Sequence, residues 1–192
     1  MDIDPTKVHE FEDADAFYTW LARNHATADE VWIKIHKVAS GLKSISPTEA
    51  IDVVLCWGWI DAIRKRHDER SYLQRYCPRR PKSVWSKVNV ENVERLIAEG
   101  RMTEFGLAQV DAAKADGRWA RAYPSASTMP VPEDLLAALA EVPTAQAAFE
   151  ALSAQNRYAI THRLHNLKTE SGRRKRIAAF VEMLAKGEAP YP

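Results

Sequence analysis

The chain has 192 residues, of which 46% are hydrophobic and 28% are charged, and its formal net charge is +1. This composition is typical of a water-soluble globular protein with one full core and room for a small additional module. The low net charge argues against a protein that binds nucleic acid over its whole surface, but it does not exclude a local basic patch. Two cysteines form no disulfide framework, and no secretory signal or long apolar run is visible, so we expect a cytoplasmic protein.

The first third of the chain predicts one helix and one strand. In Asp13–Asn24, the apolar side chains of Phe17, Trp20 and Leu21 recur on one face of an amphipathic helix. In Glu30–Lys37, aliphatic residues alternate with other types, which is the pattern of a strand. We expect the aliphatic set of this strand to face the core: Val31, Ile33 and Ile35.

The central part of the chain carries the strongest local signals. A capping box at Ser46–Glu49 begins a helix that ends at Gly58. Two strands follow, Trp59–Lys65 and Ser71–Cys77, and residues 67–70 between them form a hairpin loop.

This loop predicts a register for the hairpin. It places Lys65 opposite Tyr72, Ile63 opposite Gln74 and Asp61 opposite Tyr76. Because side chains alternate across a strand, one face then carries an amphipathic, aromatic set that suits a ligand: Trp59, Asp61, Tyr72, Gln74 and Tyr76. The other face is expected to be mostly core: Ile60, Ala62, Leu73 and Cys77, with Arg64 and Arg75. Lys34 joins the aromatic set if the earlier strand belongs to the same sheet.

Beyond Pro81 the signals are helical. Two helices are predicted to end at Gly100 and near Gly117, and Tyr123–Pro132 has the Pro and Ser content of a linker. Four more helices follow: Glu133–Glu141, Thr144–Leu152, Ser153–Leu167 and about Glu170–Lys186. The predicted fold class is α+β, with a small, mainly antiparallel sheet and packed helices in residues 1–122, a linker at 123–132 and a C-terminal helical module at 133–192.

Three motifs carry a resemblance to a known family: CWGWID at residues 56–61, YLQRYCPRRPKSVWSKVN at 72–89 and RLIAEGRMTEFGL at 95–107. They resemble the YdeI/OmpD-associated family, also labelled bacteriocin-protection proteins, from about Phe11 to the last helix. Members usually have Phe in place of Trp57 and Gly in place of Ala62, and the segment 168–173 departs further from the family pattern. The resemblance implies protection against antimicrobial peptides or association with an outer-membrane porin. It implies no reaction and no catalytic residues.

Two clusters of side chains are candidates for function. The first is Lys34, Asp61, Tyr72 and Tyr76, which a shared sheet face would bring together for proton transfer or for orienting a polar ligand. A structural ion pair beside two half-buried tyrosines explains the same residues. The second cluster is the basic loop of Arg75, Arg79, Arg80 and Lys82, with Tyr76 and Trp85 nearby for stacking. Its structural alternative is that the arginines between the prolines cap helix ends.

Other reactive residues give weaker signals. Cys56 lies in an apolar helix, where a buried thiol is the usual outcome, and a catalytic role would require a base such as His36 or His67. His162 and His165 share a helix face but have no third metal ligand in a suitable position, so we expect no metal. The basic run Arg173–Arg176 opens the last helix, which indicates an anionic partner, acidic neighbours such as Glu150 or a solvated face.

These observations favour a protein without catalytic activity that binds a small anionic or peptide-like ligand, in stress or antimicrobial resistance. The predicted ligand-binding residues are Lys34, Trp59, Asp61, Tyr72, Tyr76, Arg79, Arg80 and Trp85. One alternative is an enzyme that uses Asp61 as acid or base with Lys34 and a tyrosine. The other is nucleic-acid binding through the Arg79/Arg80 loop and the last helix, which the net charge disfavours. We expect no cofactor and no membrane insertion, and a protein partner is compatible with the same surfaces.

Overall fold

The computed structural model describes residues 3–167 and 169–191, which contain eight α-helices and one four-stranded sheet. The chain divides into two compact units. The first unit runs to Trp85 and includes Asn89–Arg121, and the second comprises Ser86–Val88 and the chain from Ala122 onward. The α+β fold class is confirmed. The predicted domain limits and the linker at 123–132 stay predictions.

The sheet lies in the first unit and is mainly antiparallel, as predicted. Its strands are β1 (Val8–His9), β2 (Val31–His36), β3 (Trp59–Arg66) and β4 (Ser71–Pro78), in the order β1-β2-β4-β3. β1 runs parallel to β2, and the other two pairs are antiparallel. β2 therefore joins the hairpin through β4, which decides the side of the sheet on which each of its residues lies.

The predicted helices of this part of the chain are present. They are α1 (Ala14–Asn24), α2 (Pro47–Cys56), α3 (Lys87–Ala98) and α4 (Glu104–Ala115). The capping box of α2 is formed as predicted, because the Glu49 N–H donates to Ser46 Oγ at 3.2 Å and the Ser46 N–H donates to Glu49 Oε2 at 2.9 Å. These bonds satisfy backbone donors that the first turn leaves unpaired.

The predicted hairpin register is correct at one end and shifted by one residue at the other. Asp61 lies opposite Tyr76 as predicted. Nearer the turn, Tyr72 faces Arg66 instead of Lys65, and Gln74 faces Arg64 instead of Ile63.

A β-bulge between Asp61 and Arg64 causes this shift. Two residues of β3, Ala62 and Ile63, there oppose one residue of β4. The buried side chain of Gln74 supports the bulge, because its amide nitrogen donates to the carbonyls of Ala62 at 3.3 Å and Ile63 at 3.4 Å. Hydrophobic patterning contains no signal for such an extra residue.

The core of the first unit lies between α1, α2 and one face of the sheet. The aliphatic residues of β2 face it as predicted, and all three are at most 1% exposed: Val31, Ile33 and Ile35. From α1, the ring of Phe17 packs 5.8 Å from that of Tyr76, and the ring of Trp20 packs 6.3 Å from that of Trp59. The aromatic side of the hairpin is therefore part of the core.

The second unit contains four helices, close to the predicted limits: α5 (Glu133–Ala140), α6 (Pro143–Ala151), α7 (Ala154–His165) and α8 (Glu170–Ala185). Their buried side chains form one apolar cluster: Leu135, Leu139, Ala145, Phe149, Ile160, Leu164, Ile177, Phe180 and Leu184. The segment 168–173, where we expected a departure from the family pattern, begins at Lys168, which lies outside the described residues.

Candidate functional site

The structure separates the first predicted cluster. Tyr72 and Tyr76 share a sheet face with Asp61, but Lys34 lies on the opposite face, where its neighbour on β4 is Leu73. Lys34 instead forms an ion pair with Glu10, with Nζ 2.8 Å from Oε1, and this hydrogen bond raises the pKa of the ammonium group. The proton-transfer arrangement of a lysine, an aspartate and a tyrosine does not form.

The other members of that cluster have different environments from one another. Asp61 is exposed, whereas Tyr76 is 1% exposed, and burial raises the pKa of its hydroxyl. Tyr72 is half-buried beneath Arg64, whose guanidinium carbon lies 4.5 Å from the ring centroid. The side of the hairpin that we predicted as a ligand surface is therefore occupied by packing contacts.

The two arginines of the predicted basic loop also differ. Arg79 is 7% exposed, lies 3.5 Å above the Trp85 ring and donates from Nη1 to the Val84 carbonyl at 3.3 Å. Arg80 is exposed. Trp85 is itself buried, beside Trp119 at 4.9 Å. Burial of Arg79 removes it from a surface that contacts nucleic-acid phosphates, and it makes this side chain a fixed charge near the core.

Arg79 and Trp59 meet in a small cleft of about 270 Å³, here called the aromatic cleft. Its lining residues are His25, Ala26, Trp57, Gly58, Trp59, Pro78, Arg79, Phe105, Ala108 and Gln109. The rings of Trp57 and Phe105 are nearly parallel, with centroids 5.8 Å apart, and His25 lies 4.1 Å from Phe105. The cleft thus combines flat apolar walls with a largely buried arginine side chain.

Two glycines bring α4 against the end of α2 and so form the cleft. Gly58 has φ +72°, and a Cβ at this position would lie 2.8 Å from the Phe105 carbonyl oxygen. A Cβ at Gly106 would overlap the Cys56 carbonyl oxygen. The Thr103 hydroxyl fixes the same junction, because it donates to the Cys56 carbonyl at 2.6 Å. This close approach places Phe105 beside Trp57.

The polar groups of the aromatic cleft differ in what they can bind, and Arg79 is the one suited to an anion. His25 Nδ1 lies 3.0 Å from the Leu21 carbonyl, which only accepts, so Nδ1 carries the proton and Nε2 is the acceptor in the neutral ring. Arg79 supplies a permanent positive charge. The lining residues, all within the described part of the chain, include no carboxylate. The cleft is therefore cationic and largely apolar.

Sequence reasoning identified Trp59 and Arg79 as site residues but missed four others: His25, Trp57, Phe105 and Gln109. Phe105 and Gln109 stand four positions apart in the sequence, which places them on one face of a helix. That spacing was a usable signal. No local sequence signal indicates that this face contacts the end of α2. The contact depends on Gly58 and Gly106, and their role becomes visible only in the folded structure.

The remaining reactive residues have structural environments. Cys56 is buried, and desolvation raises the pKa of its thiol to about 11, so the thiolate nucleophile is scarce at neutral pH. Arg173 Nη2 pairs with Asp134 Oδ1 at 2.8 Å, and Arg174 Nη1 pairs with Glu170 Oε1 at 2.9 Å, so the acidic neighbours of the basic run are these two residues rather than Glu150.

Among the described residues, no group of three or more His, Cys, Asp or Glu side chains is arranged to hold a metal ion. In the same part of the chain, no helix has both the length and the apolar character needed to cross a bilayer.

Comparison with protein families divides the chain in two. Residues 9–109, more than half of the chain, match a family model described as a domain of unknown function, DUF8412. The chain belongs to that family. Residues 128–187 match a second model, described as bacteriocin-protection, YdeI or OmpD-associated. Comparison with curated proteins and with solved structures gives no match.

The resemblance to the YdeI/OmpD-associated family is confirmed for residues 128–187, which cover the four helices of the second unit. The three motifs from which it was inferred lie instead within the DUF8412 region. The aromatic cleft, whose lining residues run from His25 to Gln109, lies entirely in the DUF8412 region as well.

Proposed function

We propose that the aromatic cleft binds a small ligand that carries a carboxylate beside a flat apolar group, such as the terminal residue of a peptide with an aromatic side chain. The observation that carries this proposal is the buried Arg79 in a cleft walled by Trp57, Trp59 and Phe105. Guanidinium groups bind carboxylates through paired, charge-assisted hydrogen bonds.

The environment of Arg79 supports binding because the side chain is held in place before a ligand arrives. Its stacking on Trp85 and its bond to the Val84 carbonyl restrict its rotamers. A preorganised group loses less conformational entropy on binding. A low local dielectric also strengthens its attraction for an anion.

The size of the cleft limits the ligand. A volume of about 270 Å³ lies below the range of roughly 300–1,000 Å³ that is typical of sites for drug-sized molecules. It suits one aromatic ring system with a short polar substituent. The match of residues 128–187 to the bacteriocin-protection model supports a cellular role in protection against antimicrobial peptides, and this role agrees with a peptide-like ligand.

The test compares N-acetyl-tryptophan with N-acetyl-tryptophan amide, which replaces the carboxylate by a neutral amide. Calorimetry or NMR titration of the full chain should show binding of the acid and much weaker binding of the amide. Phe105→Ala should weaken binding of the acid by about three- to tenfold, because one aromatic contact contributes about 0.5–1.5 kcal/mol.

The matched control is Leu107→Ala, which removes a comparably exposed side chain of α4 that does not line the cleft. Its affinity should equal that of the wild type. Equal affinities for acid and amide, or equal effects of the two variants, would contradict the proposal.

A further inference from the structure

The lining of the aromatic cleft contains one carboxamide, the side chain of Gln109. A carboxamide both donates and accepts hydrogen bonds, whereas a guanidinium group only donates them. Gln109 is half-buried, and its amide forms no hydrogen bond with any other group in the described part of the chain. The cleft therefore holds a neutral polar group whose donor and acceptor are both unused.

The Gln109 amide differs in accessibility from two other unpaired polar atoms of the cleft. The indole nitrogen of Trp57 and Nε2 of His25 have no partner and are enclosed by protein, so a ligand does not reach them while the rings keep their positions. The Gln109 amide is not enclosed in this way. A ligand in the cleft therefore meets this amide directly, without a rearrangement of the rings.

Gly58 is the residue around which the groups of the cleft are placed. A Cβ at Gly58 would lie 2.9 Å from Gln109 Cγ and 2.8 Å from the Phe105 carbonyl oxygen, so α4 packs directly on this glycine. The Gly58 carbonyl accepts a hydrogen bond from the Arg79 N–H at 3.1 Å. Residues that supply an amide, a cation and an aromatic wall thus all contact Gly58.

This grouping matches the substituents of a single carbon atom in a peptide. In the last residue of a peptide, the α-carbon carries the carboxylate, the nitrogen of the last peptide bond and the side chain. The N–H and C=O of a peptide bond complement the acceptor and the donor of a carboxamide. A free amino acid carries an ammonium group instead, and the cleft lining, which lies within the described residues, includes no carboxylate to pair with it.

We infer that Gln109 determines the specificity of the aromatic cleft by binding the last peptide bond of a peptide with an aromatic carboxyl-terminal residue. The inference rests on the proposed function, because it assigns the carboxylate to Arg79 and the ring to the aromatic walls. It adds a third requirement, an acylamide group on the ligand. The ligand class is thereby narrowed from aromatic carboxylates to peptide ends, and free aromatic amino acids are disfavoured.

The experiment compares ligands that share the indole ring and the carboxylate. Indole-3-propionate lacks the acetamido group of N-acetyl-tryptophan, and free tryptophan has an ammonium group in its place. In calorimetric titrations of the full chain, both should bind more weakly than N-acetyl-tryptophan. The loss for indole-3-propionate should be about three- to tenfold, as expected for one hydrogen bond. N-acetyl-glycyl-tryptophan should bind about as tightly as N-acetyl-tryptophan, because its last residue presents the same groups.

The variant Gln109→Met keeps the length of the side chain and removes both hydrogen-bonding functions. It should weaken binding of N-acetyl-tryptophan about three- to tenfold and leave indole-3-propionate nearly unchanged, so that the two ligands bind with equal affinity. Phe105→Ala, one turn away on the same helix face, is the matched comparison. It should weaken both ligands by the same factor, since both carry the ring.

Failure of the proposed function and failure of this inference give different results. If neither N-acetyl-tryptophan nor indole-3-propionate binds, or if each binds no better than its neutral amide, the proposed function is wrong and the inference falls with it. If both acids bind the wild type with equal affinity, or if Gln109→Met weakens both alike, the carboxylate site stands and the role of Gln109 is overturned. Exclusion of N-acetyl-glycyl-tryptophan would overturn the assignment to peptide ends.

Discussion

The two units of the chain differ in what they bury. Among the described residues, the first unit encloses four polar or charged side chains, Asp52, Ser71, Gln74 and Arg79, whereas the second encloses Thr161. The Thr161 hydroxyl bonds to carbonyls of its own helix, at 3.2 and 3.1 Å. Burying polar groups is costly unless they are paired. The second unit avoids this cost with an apolar core.

Two of the buried polar groups of the first unit, Asp52 and Gln74, are paired with residues at least ten positions away in the sequence. The Asp52 carboxylate, for example, accepts two hydrogen bonds from Arg95 Nη2, at 2.7 and 2.8 Å. Such groups specify one arrangement of the elements and place fixed charges near cavities. The aromatic cleft, with Arg79 in its lining, lies in this unit. The second unit is built mainly from helix packing.

The largest expected effects test whether the two units unfold separately. Trp59 is 2% exposed and Leu164 is fully buried, so Trp59→Ala should cost about 3–5 kcal/mol and Leu164→Ala about 2–5 kcal/mol. All six tryptophans lie in the first unit, at positions 20, 32, 57, 59, 85 and 119. Tryptophan fluorescence therefore reports unfolding of the first unit, and far-ultraviolet circular dichroism reports both.

In urea titrations, Trp59→Ala should shift the fluorescence midpoint, whereas Leu164→Ala should shift only part of the circular dichroism signal. A conservative Trp59→Phe variant should lose less stability than Trp59→Ala, because it leaves a smaller cavity. A fluorescence midpoint that moves in Leu164→Ala would show one cooperative transition and would remove the energetic distinction between the units.

A smaller effect comes from one helical glycine in each unit. Gly106→Ala should destabilise the first unit by about 1–3 kcal/mol, because the added Cβ overlaps backbone at the end of α2. Gly172→Ala in α8 should cost less, because its Cβ would meet only the Thr169 hydroxyl, at 2.8 Å. Displacing that hydroxyl weakens the cap that it forms with the Gly172 N–H, at 3.2 Å, but alanine favours a helix and offsets part of the loss. Thermal unfolding of both variants checks this. Equal losses of stability in the two variants would contradict this prediction. They would mean that α4 shifts away from α2 at no greater cost than that of displacing the Thr169 hydroxyl.

Much of the fold follows from local sequence signals. The capping box at Ser46–Glu49, the alternation in β2 and the helical periodicity of the second unit each depend on residues close together in the chain, and each is confirmed. The shifted half of the hairpin register was wrong because a bulge depends on Gln74, a residue of the partner strand.

The candidate site was less predictable, for the same physical reason. Patterning placed Tyr72 and Tyr76 on one face correctly, but it does not say which face α1 covers. The position of Lys34 depends on β2 joining the sheet through β4. The aromatic cleft depends on the close approach of α4 to the end of α2 at Gly58 and Gly106. Such long-range packing produces no periodic pattern in the sequence, so it could not be predicted.

The smallest expected effect is a pH dependence confined to the second unit. The His162 ring packs 4.5 Å from that of Tyr123 and 5.3 Å from that of Tyr158. Desolvation, assisted by the positive charges of His165 and Arg163, lowers the pKa of His162 below its ordinary 6.5. The unfolded chain therefore takes up the proton first as the pH falls, and unfolding becomes easier.

The stabilising contribution of neutral His162 should be complete above about pH 6.5 and should be lost as the pH falls through the lower pKa of the folded state. In His162→Gln, the circular dichroism transition of the second unit should vary less between about pH 7 and about pH 5. His165→Gln, at an exposed position on the same helix, serves as the comparison and should retain most of the wild-type dependence, because desolvation rather than the charge of His165 is the larger cause of the lowered pKa of His162. If both variants keep that dependence, the proton is taken up elsewhere, and the apolar core of the second unit is insensitive to this histidine.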